Sequence, residues 1–482
     1  MYYSIQHFLE NGIPQLEENQ KKFMRDPSCF GECVTRVGQI MMGLALQIVS
    51  ETLGEYDTAL RESVRRQANW RVKDRGERSV LTSLGTVTFT HTRFQHKTTR
   101  ETAYLLDRAM GLNPHARLSP DARESLLREA ARGSYQKAGE LSGGDGSVSR
   151  QTVMRHVHGL SFPVPKKEEP VGKRRVRYLY VEADEDHIAL QFHEKKGDVR
   201  RWKGRGDNGK IVKLVYVHEG YKEAGARGKE LKGVRYFGGL YPGKENETLW
   251  CEVKDYIERT YETEAIERIY FQSDGGGWMK KGVGMLGGTF VLDEFHLRKY
   301  VRRMARVAGE EGKEEELMGY VERGERKRLR EWSGEKGKGL SERDRKRLEE
   351  SLGYLERNWK GIRARVKKEE GVMGSSAEGH ISHVLSARMS SRPMGWSEEG
   401  ASKLSRLRIH WKNGEEIGEL LAEPVREEKR EEEGCLSAEE LIRWEKRSQK
   451  KNGKYVEALQ ARVSGQSKMR IYFQQTIGRI CG

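Results

Sequence analysis

Apolar residues recur at three- and four-residue spacing through the first part of the chain, which is the pattern of amphipathic helices. The clearest run extends from Val37 to Leu53. A more polar stretch follows and carries four arginines, Arg61, Arg65, Arg66 and Arg71. We therefore predict an N-terminal helical region over residues 1–75, in which helix continues to about residue 72.

Between residues 80 and 95, alternation of every second residue replaces the three- and four-residue spacing of the helices. Val87, Phe89, His91 and Arg93 alternate with threonines, and Gly85 interrupts the stretch. β-Branched residues in alternation are typical of strands, and glycine permits a tight turn between two of them. The pattern predicts a β-ribbon, which opens a second region over residues 76–165.

Three short helices are predicted in the rest of that second region. Ser119 caps the first, the second covers residues 134–141, and Ser149 caps the third. The glycine pair Gly143–Gly144 separates the second helix from the third. A helix, a glycine-containing turn and a capped helix form the pattern of a helix-turn-helix.

The third helix carries polar residues that suit DNA. Arg150, Gln151 and Arg155 can reach base edges or phosphates from the major groove. An ordinary helical hairpin with solvated polar residues is the alternative. Lys and Arg total 89 against 73 Asp and Glu, a net charge of +16 with a pI near 9.4. This excess favours a polyanionic partner, nucleic acid before a membrane surface, and so favours DNA binding.

After a linker with prolines and mixed charges, the chain takes on the pattern of an α/β sheet. The predicted elements are strands at 176–181, 210–218, 233–241, 269–271 and 289–292, with a helix at about 247–264. Three strands, a helix and further alternating strands and helices are the element order of a ribonuclease-H-like core. In that order the first strand lies beside the fourth, so we predict the first part of such a core over residues 173–300.

Two aspartates lie where this order brings strand ends together. Asp184 follows the first strand, and Asp274 ends the fourth and precedes three glycines. Strand ends of this kind are where open α/β sheets bind ligands. Taken alone, Asp274 is equally well explained as the cap of a glycine-rich turn. Glu182 and Asp186 are alternatives to Asp184.

The pattern changes again after the core strands. Residues 301–372 are rich in mixed charges and poor in apolar positions, which predicts a helical insertion. The core resumes over residues 373–414, where Glu378 lies in the first turn of a predicted helix. A glutamate there favours the helix dipole, but it can equally complete a metal site with the two aspartates. Glu398 and Glu399 are weaker rivals, and residues 415–482 are predicted as a charged C-terminal helical region.

Two aspartates and a glutamate fit a site for Mg²⁺ or Mn²⁺. These hard cations prefer oxygen ligands, and two of them about 4 Å apart can hold the attacking and leaving oxygens of a phosphoryl displacement. We therefore expect two divalent cations as cofactors. No serine, cysteine or lysine nucleophile is needed for such chemistry.

Other features argue against whole classes of protein. The N-terminal residues lack a basic segment followed by an apolar one, so we expect no secretory signal. No 18-residue window is apolar and uncharged throughout, so we expect no membrane span. Five scattered cysteines indicate a reduced, cytoplasmic protein. Cys29 and Cys33 lack a second pair at zinc-ligand spacing, which disfavours a structural zinc site.

Several motifs together carry a resemblance to a known family. They are Tyr180–His187, Ser273–Trp278, Val291–Tyr300, Ala377–Leu385 and Ser390–Trp396. On these motifs the chain resembles the ISLre-type insertion-sequence transposases of bacteria, a family similar to the Mutator-like DDE transposases. The likeness runs through most of the chain and includes the helix-turn-helix region.

The resemblance implies an enzyme that binds terminal inverted repeats, cleaves the DNA and transfers the freed 3′ ends to target DNA. Matched motif by motif, the acids that hold the metal and catalyse the reaction are Asp184, Asp274 and Glu378. His296 would support the site together with Asp293, and Arg298 and Lys299 would face phosphates. The resemblance also implies double-stranded DNA as partner, a homo-oligomer that joins two DNA ends, and a bacterial cytoplasmic location.

Two other functions stay open on the residues themselves. A DNA-binding regulator would share the basic charge and the helix-turn-helix, with the acids in structural roles. A ribonuclease-H-type nuclease would share the acids but would not join ends. Metal-dependent cleavage separates the regulator from the two enzymes, and joining of cleaved ends to a second duplex separates transposase from nuclease.

Overall fold

The computed structural model describes residues 2–144, 147–162, 172–191, 200–202, 205–222, 230–367, 370–392 and 394–421, and short pieces between 436 and 447. Most of the predicted linker and most of the predicted C-terminal region lie outside these residues. The chain divides into two units, one of residues 1–156 with 417–482 and one of residues 157–416. This division is coarser than the six predicted regions, whose individual boundaries stay predictions.

Helices come first, as the apolar spacing predicts. They are α1 (Tyr2–His7), α2 (Ile13–Arg25), α3 (Phe30–Glu62) and α4 (Val64–Asn69), with a π turn at Phe8–Gly12 and a 3-10 turn at Pro27–Cys29. The predicted helix to about residue 72 is too long, because β1 begins at Trp70 and Arg71 lies on this strand. The twelve residues of the next strand pair back as far as Trp70, and the Trp70 ring packs edge-on against His96.

A three-stranded antiparallel sheet follows, in the order β1 (Trp70–Thr82), β2 (Gly85–His96) and β3 (Thr102–Tyr104). The turn at Gly85 is confirmed, and there Gly85 has a φ of 141°, which favours glycine. The ribbon begins ten residues before the predicted Val80, at Trp70. Phe94, Leu105 and Leu106 are fully buried in the core of this unit.

Four more helices follow this sheet in the chain. They are α5 (Leu105–Ala109), α6 (Pro120–Arg132), α7 (Tyr135–Leu141) and α8 (Arg150–His158). The predicted caps at Ser119 and Ser149 are confirmed, because their hydroxyls accept hydrogen bonds from backbone amides three residues later, and Ser134 caps the second helix in the same way. The predicted order of helix, turn and capped helix is therefore present.

Gly139 of α7 allows the chain to return closely before α8. The amide of Val148 donates to the carbonyl of Gly139, and a Cβ atom at position 139 would lie 1.9 Å from the carbonyl oxygen of Val148. Gly43 lies inside α3, and a Cβ atom there would have no neighbour within 4 Å. The two glycines therefore differ in whether alanine can replace them.

We expect Gly139→Ala to lower the free energy of unfolding of the first unit by about 1–3 kcal/mol, because backbone must move to admit the methyl group. Gly43→Ala should instead raise it by up to about 1 kcal/mol, since alanine is the better helix former. Thermal unfolding of the two variants checks this pair, and a Gly139→Ala variant as stable as wild type would contradict it.

Pro27–Glu62, which includes α3, is long and apolar enough to cross a membrane by length and composition alone. Only 6% of its apolar window is buried in the chain, and Val34, Val37 and Met41 are exposed. A single helix of this kind is weak evidence, because core helices and signal sequences share these properties. The absence of a membrane span therefore stays a prediction.

The second unit is built on a mixed five-stranded sheet. Its elements in chain order are β4 (Tyr178–Ala189), β5 (Arg200–Trp202), β6 (Arg205–Asp207), β7 (Gly209–His218), β8 (Arg235–Gly239), α9 (Asn246–Thr260), β9 (Arg268–Ser273), α10 (Gly277–Leu286) and β10 (Thr289–Leu292). Strands β5 and β6 form a separate hairpin. The large sheet has the order β10-β9-β4-β7-β8.

Strand directions follow the predicted pairing of the first and the fourth strand. β4 runs parallel to β9, and β9 runs parallel to β10, whereas β4–β7 and β7–β8 are antiparallel. One face of β4 carries Leu179, Val181 and Ala183, which pack with Trp250 and Phe271 in the main core of the unit. The opposite face of β4 is therefore available for polar residues.

The predicted insertion is helical and has a core of its own. Its helices are α11 (Glu294–Val307), α12 (Glu314–Arg323), α13 (Arg326–Gly337), α14 (Glu342–Arg357) and α15 (Trp359–Val366). Leu297, Met304, Leu317, Leu348 and Ile362 are buried together. The mixed charges thus form the outer faces of a packed bundle. The chain then returns through α16 (Ala377–Ile381), a π turn at Ser382–Ser386, α17 (Ala387–Met389) and α18 (Glu398–Lys412).

Candidate functional site

Two aspartates follow neighbouring parallel strands at the same edge of the sheet. Asp274 comes directly after β9, and Asp293 comes directly after β10. The amide of Asp293 donates to the carbonyl of Ser273 at 3.0 Å, which holds the two strand ends side by side. Asp274 also accepts from the amide of Gly276 at 2.8 Å, so the glycine-rich turn gives its carboxylate a fixed direction.

Asp184 lies on β4, the central strand of the sheet, and on the face opposite the main core. Burial raises the pKa of Asp184 to about 6, and the negative charges of Asp274 and Glu378 contribute to the rise. A hydrogen bond from the amide of Glu185 and the charge of His296 act in the opposite direction. Asp274 and Glu378 are therefore near enough to Asp184 for their charges to act on it.

Glu378 reaches this region from the other side of the insertion. It lies in the first turn of α16, which packs against β4, and its side chain is exposed. Within the described residues, no group of three His, Cys, Asp or Glu side chains is close enough to form a complete metal cluster. The fold thus brings the three acids into one region, but their side chains are not close enough together to form a complete set of metal ligands.

His296 is tied to Asp293, as the Asp-x-x-His motif suggests. Asp293 begins α11, and its carboxylate accepts from the amide of Phe295 and lies 2.9 Å from Nδ1 of His296. Burial lowers the pKa of His296, but the hydrogen bond and charge of Asp293, with the charge of Asp274, outweigh this and raise the pKa overall. If Nδ1 donates to Asp293, Nε2 is left to act towards a ligand.

The alternative acids have other partners. Glu182 is fully buried and accepts from Ser375, Ser376 and His218. Asp186 is also buried, and one of its oxygens accepts from Ser390 at 2.7 Å. The two later glutamates contact basic residues, Glu398 with Lys210 and Glu399 with His158.

The insertion supplies contacts that the sequence did not indicate. Tyr354 of α14 donates to the backbone carbonyl of Asp274 at 2.6 Å, and its ring stacks on Tyr300. Arg365 of α15 donates to the carbonyl of Leu292 at 2.7 Å, at the end of β10. Both residues lie in the charge-rich stretch that is predicted as a helical insertion. No sequence pattern within that stretch indicates these contacts.

Comparison with known proteins places the chain in a family. A model of the uncharacterised protein family UPF0236 matches residues 25–431. This chain belongs to the UPF0236 family. UPF0236 protein TTE2489 of Caldanaerobacter subterraneus subsp. tengcongensis is 33% identical over 391 residues, which are 81% of this chain and 80% of the relative. The UPF0236 protein TTE1650/TTE2708 of the same organism is 33% identical over 81% of this chain and 75% of its own length.

The part of this UPF0236 chain that is predicted to bind DNA presents its polar residues to solvent. Val153 and Val157 of α8 are buried, whereas Arg150, Gln151 and Arg155 are exposed on the same helix. The buried valines fix which side of α8 faces outwards. The three residues predicted to contact DNA thus share an accessible surface.

The other predicted phosphate contacts lie on α11. Arg298 and Lys299 are both exposed, two and three residues after His296 on the same helix. Arg298 forms an ion pair with Glu294 at 3.0 Å, and the ammonium of Lys299 lies 5.8 Å from the ring centre of Phe295. A surface ion pair of this kind contributes little to stability, so Arg298 can exchange Glu294 for a phosphate at small cost.

We expect Arg150→Ala and Arg155→Ala each to weaken DNA binding about tenfold, the effect of losing one charge-assisted contact. If the lost contact is to phosphate, the slope of log affinity against log salt should fall by about one. Fluorescence anisotropy at several salt concentrations measures both quantities. Arg132→Ala, an exposed arginine at the end of α6, is the matched control. An equal loss in the control would mean that general charge, rather than α8, binds the DNA.

Proposed function

We propose that this protein is a DDE-type transposase of the ISLre type, with a ribonuclease-H-like core that the helical insertion divides. The observation that carries the proposal is the position of three acids around one sheet. Asp184 lies on the central strand, Asp274 follows the parallel neighbour, and Glu378 returns on a helix after the insertion. The strand order β8-β7-β4-β9-β10 is the order expected of such a core.

The donor set suits a divalent cation. The three side chains offer carboxylate oxygens, the ligands that Mg²⁺ and Mn²⁺ prefer. Burial raises the pKa of Asp184 and the charges of Asp274 and Glu378 add to the rise, and a bound cation would offset this repulsion. Asp184, Asp274 and Glu378 would therefore hold Mg²⁺ or Mn²⁺, with two ions expected. When bound, such ions supply an activated water and stabilise the charge that develops on a scissile phosphate.

The chain's own residues would position the DNA around this chemistry. Asp293 orients the ring of His296 and raises its pKa, which favours the positively charged imidazolium near Asp274. Arg298 and Lys299 extend from the same helix and would contact phosphates. The helix-turn-helix with Arg150, Gln151 and Arg155 would bind the terminal inverted repeats. Joining two DNA ends at once requires a homo-oligomer.

One relative's name adds a separate line of support. It joins eleven designations, from TTE0033 to TTE2212, for a UPF0236 protein of Caldanaerobacter subterraneus subsp. tengcongensis that is 32% identical to this chain. A joined name is expected when one sequence is encoded at several places in a genome. Multiple copies are a property of mobile elements, and a regulator or a housekeeping nuclease has no reason to be repeated in this way.

The decisive experiment is cleavage and joining of DNA by the purified full chain. A duplex that carries the ends of the flanking element is incubated with a target plasmid and Mg²⁺, Mn²⁺ or no divalent cation. We expect metal-dependent cleavage and covalent joining of the cleaved end to the plasmid. Binding without cleavage would support the regulator, and cleavage without joining would support the nuclease. Glu378→Gln, purified in parallel, controls for contaminating nucleases.

A further inference from the structure

A buried carboxylate and imidazole lie beside the proposed site and take no part in it. Glu182 of β4 and His218 of β7 are each 0% exposed. His218 Nε2 lies 3.1 Å from Glu182 Oε1, and the amide of Gly220 donates to His218 Nδ1 at 3.2 Å. Because Nδ1 accepts, Nε2 carries the proton and donates to Glu182. The imidazole is thus fixed in one tautomer and needs no charge to make this bond.

The other bonds of Glu182 go to the chain that returns from the insertion. Its Oε2 accepts from the hydroxyl of Ser375 at 2.7 Å and from the amide of Ser376 at 2.8 Å. Its Oε1 also accepts from the hydroxyl of Ser376 at 3.2 Å. These two serines directly precede α16, which carries Glu378 in its first turn. Glu182 therefore binds the point from which Glu378 is directed.

Ser376 does not cap α16 in the usual way, because its hydroxyl is used in these contacts. It occupies the N-cap position of α16, where a serine hydroxyl usually accepts from an amide of the first turn, yet it makes no such bond. Its hydroxyl lies instead within hydrogen-bond distance of Glu182 and of the Tyr216 hydroxyl. α16 continues directly into the π turn and α17, but Ser376 gives its start no cap hydrogen bond, so the position of that start depends on these tertiary contacts.

α16 also rests on aromatic rings of the neighbouring strands. His380 stacks on Tyr216 with ring centres 4.5 Å apart, and its Nδ1 lies 2.7 Å from the Tyr236 hydroxyl. These contacts limit rotation of α16 once its start is fixed. The hydrogen bonds at the start and the stacking along the helix together determine where the Glu378 side chain can point.

We propose that Glu182 and His218 are positioning residues, which hold Ser375 and Ser376 so that Glu378 faces Asp184 and Asp274. The proposal rests on the proposed function of those acids. It assigns to Glu182 a role different from that of a metal ligand, although Glu182 lies only two residues from Asp184. Removing the carboxylate should therefore loosen α16 before it affects any other part of the sheet.

Hydrogen–deuterium exchange of the full chain tests the contact without any reaction. In Glu182→Gln, the amides of α16 should exchange about ten- to a hundredfold faster than in wild type, as expected when bonds to a charged acceptor are lost. The amides of β9 and α9 should be unchanged. Ser375→Ala removes one donor only and should give a smaller increase, which keeps the test possible if Glu182→Gln folds poorly.

The metal dependence of DNA cleavage distinguishes a residue that positions Glu378 from one that only stabilises the fold. Glu182→Gln should raise the Mn²⁺ concentration needed for half-maximal cleavage about tenfold or more, with DNA binding unchanged. Leu249→Ala, a core substitution in α9 on the other face of the sheet, should lower stability without this shift.

If Glu182→Gln abolishes cleavage at every Mn²⁺ concentration and leaves exchange of α16 at the wild-type rate, Glu182 is a ligand and the proposal is wrong. Absence of wild-type cleavage would overturn the proposed function, while the exchange result would still decide whether Glu182 holds α16.

Discussion

Asp274→Asn is expected to slow metal-dependent DNA cleavage at least about a thousandfold, which corresponds to roughly 4 kcal/mol of lost transition-state stabilisation. Asparagine keeps the shape of the side chain and its bond from the Gly276 amide, but it loses the charge that would hold the cation. DNA affinity should change little, because the residues predicted to bind DNA lie elsewhere. Single-turnover cleavage rates with saturating Mg²⁺, together with binding isotherms, measure both quantities.

Asp255→Asn is the matched control, because Asp255 is an exposed aspartate of α9 without a predicted role. Its cleavage rate should equal that of wild type. Asp186→Asn distinguishes the proposed first ligand from its neighbour and should retain most activity. A fast Asp274→Asn variant, or an inactive Asp186→Asn variant beside an active Asp184→Asn variant, would refute the assignment of the acids.

Asp184→Asn is expected to stabilise the metal-free protein while it abolishes cleavage. The folded-state pKa of Asp184 is about 6, whereas an unfolded aspartate has a pKa of about 4. The folded state therefore holds the proton more tightly, and this side chain lowers stability as the pH rises from about 4 to about 6. Above that window the loss of folding stability should be constant, at about 3 kcal/mol.

Urea unfolding followed by tryptophan fluorescence checks this prediction at several pH values. The variant should be more stable than wild type at pH 7 and equally stable below pH 4. Mg²⁺ should raise the stability of wild type more than that of the variant, because a ligand stabilises the state that binds it. A variant less stable than wild type at pH 7 would show that Asp184 is held by favourable contacts instead of repelled by its neighbours.

The sequence was most informative where local chemistry decides the structure. The caps at Ser119 and Ser149 need only one hydroxyl and the following amides, so they can be predicted from a short stretch of sequence. Strand β10 matches its predicted bounds, because an apolar run between glycine and aspartate has few alternatives. The pairing of β4 with β9 followed from element order, which constrains topology more strongly than any single residue.

The sequence was least informative where a residue acts across a long separation. Nothing near Glu182 indicates that its partners are Ser375 and Ser376, which lie beyond the insertion. Tyr354 and Arg365 likewise occur in a charge-rich stretch, and only the fold brings them to Asp274 and Leu292. The end of the N-terminal helices was misplaced for the same reason, because pairing with β2 draws Trp70 and Arg71 into a strand.

The helical insertion also determines when the site can form during synthesis. Asp184 and Asp274 can meet as soon as β9 has joined β4, but Ser375 and Ser376 are made only after the whole bundle α11–α15. The bundle has its own core, so it can fold first and bring its two ends together, which lowers the entropy cost of closing so long a loop. Closure of α16 onto β4 is then a late and non-local step of folding. A nascent chain that has not passed this point lacks Glu378, so the proposed cleavage activity would begin only after this part of the chain has been translated.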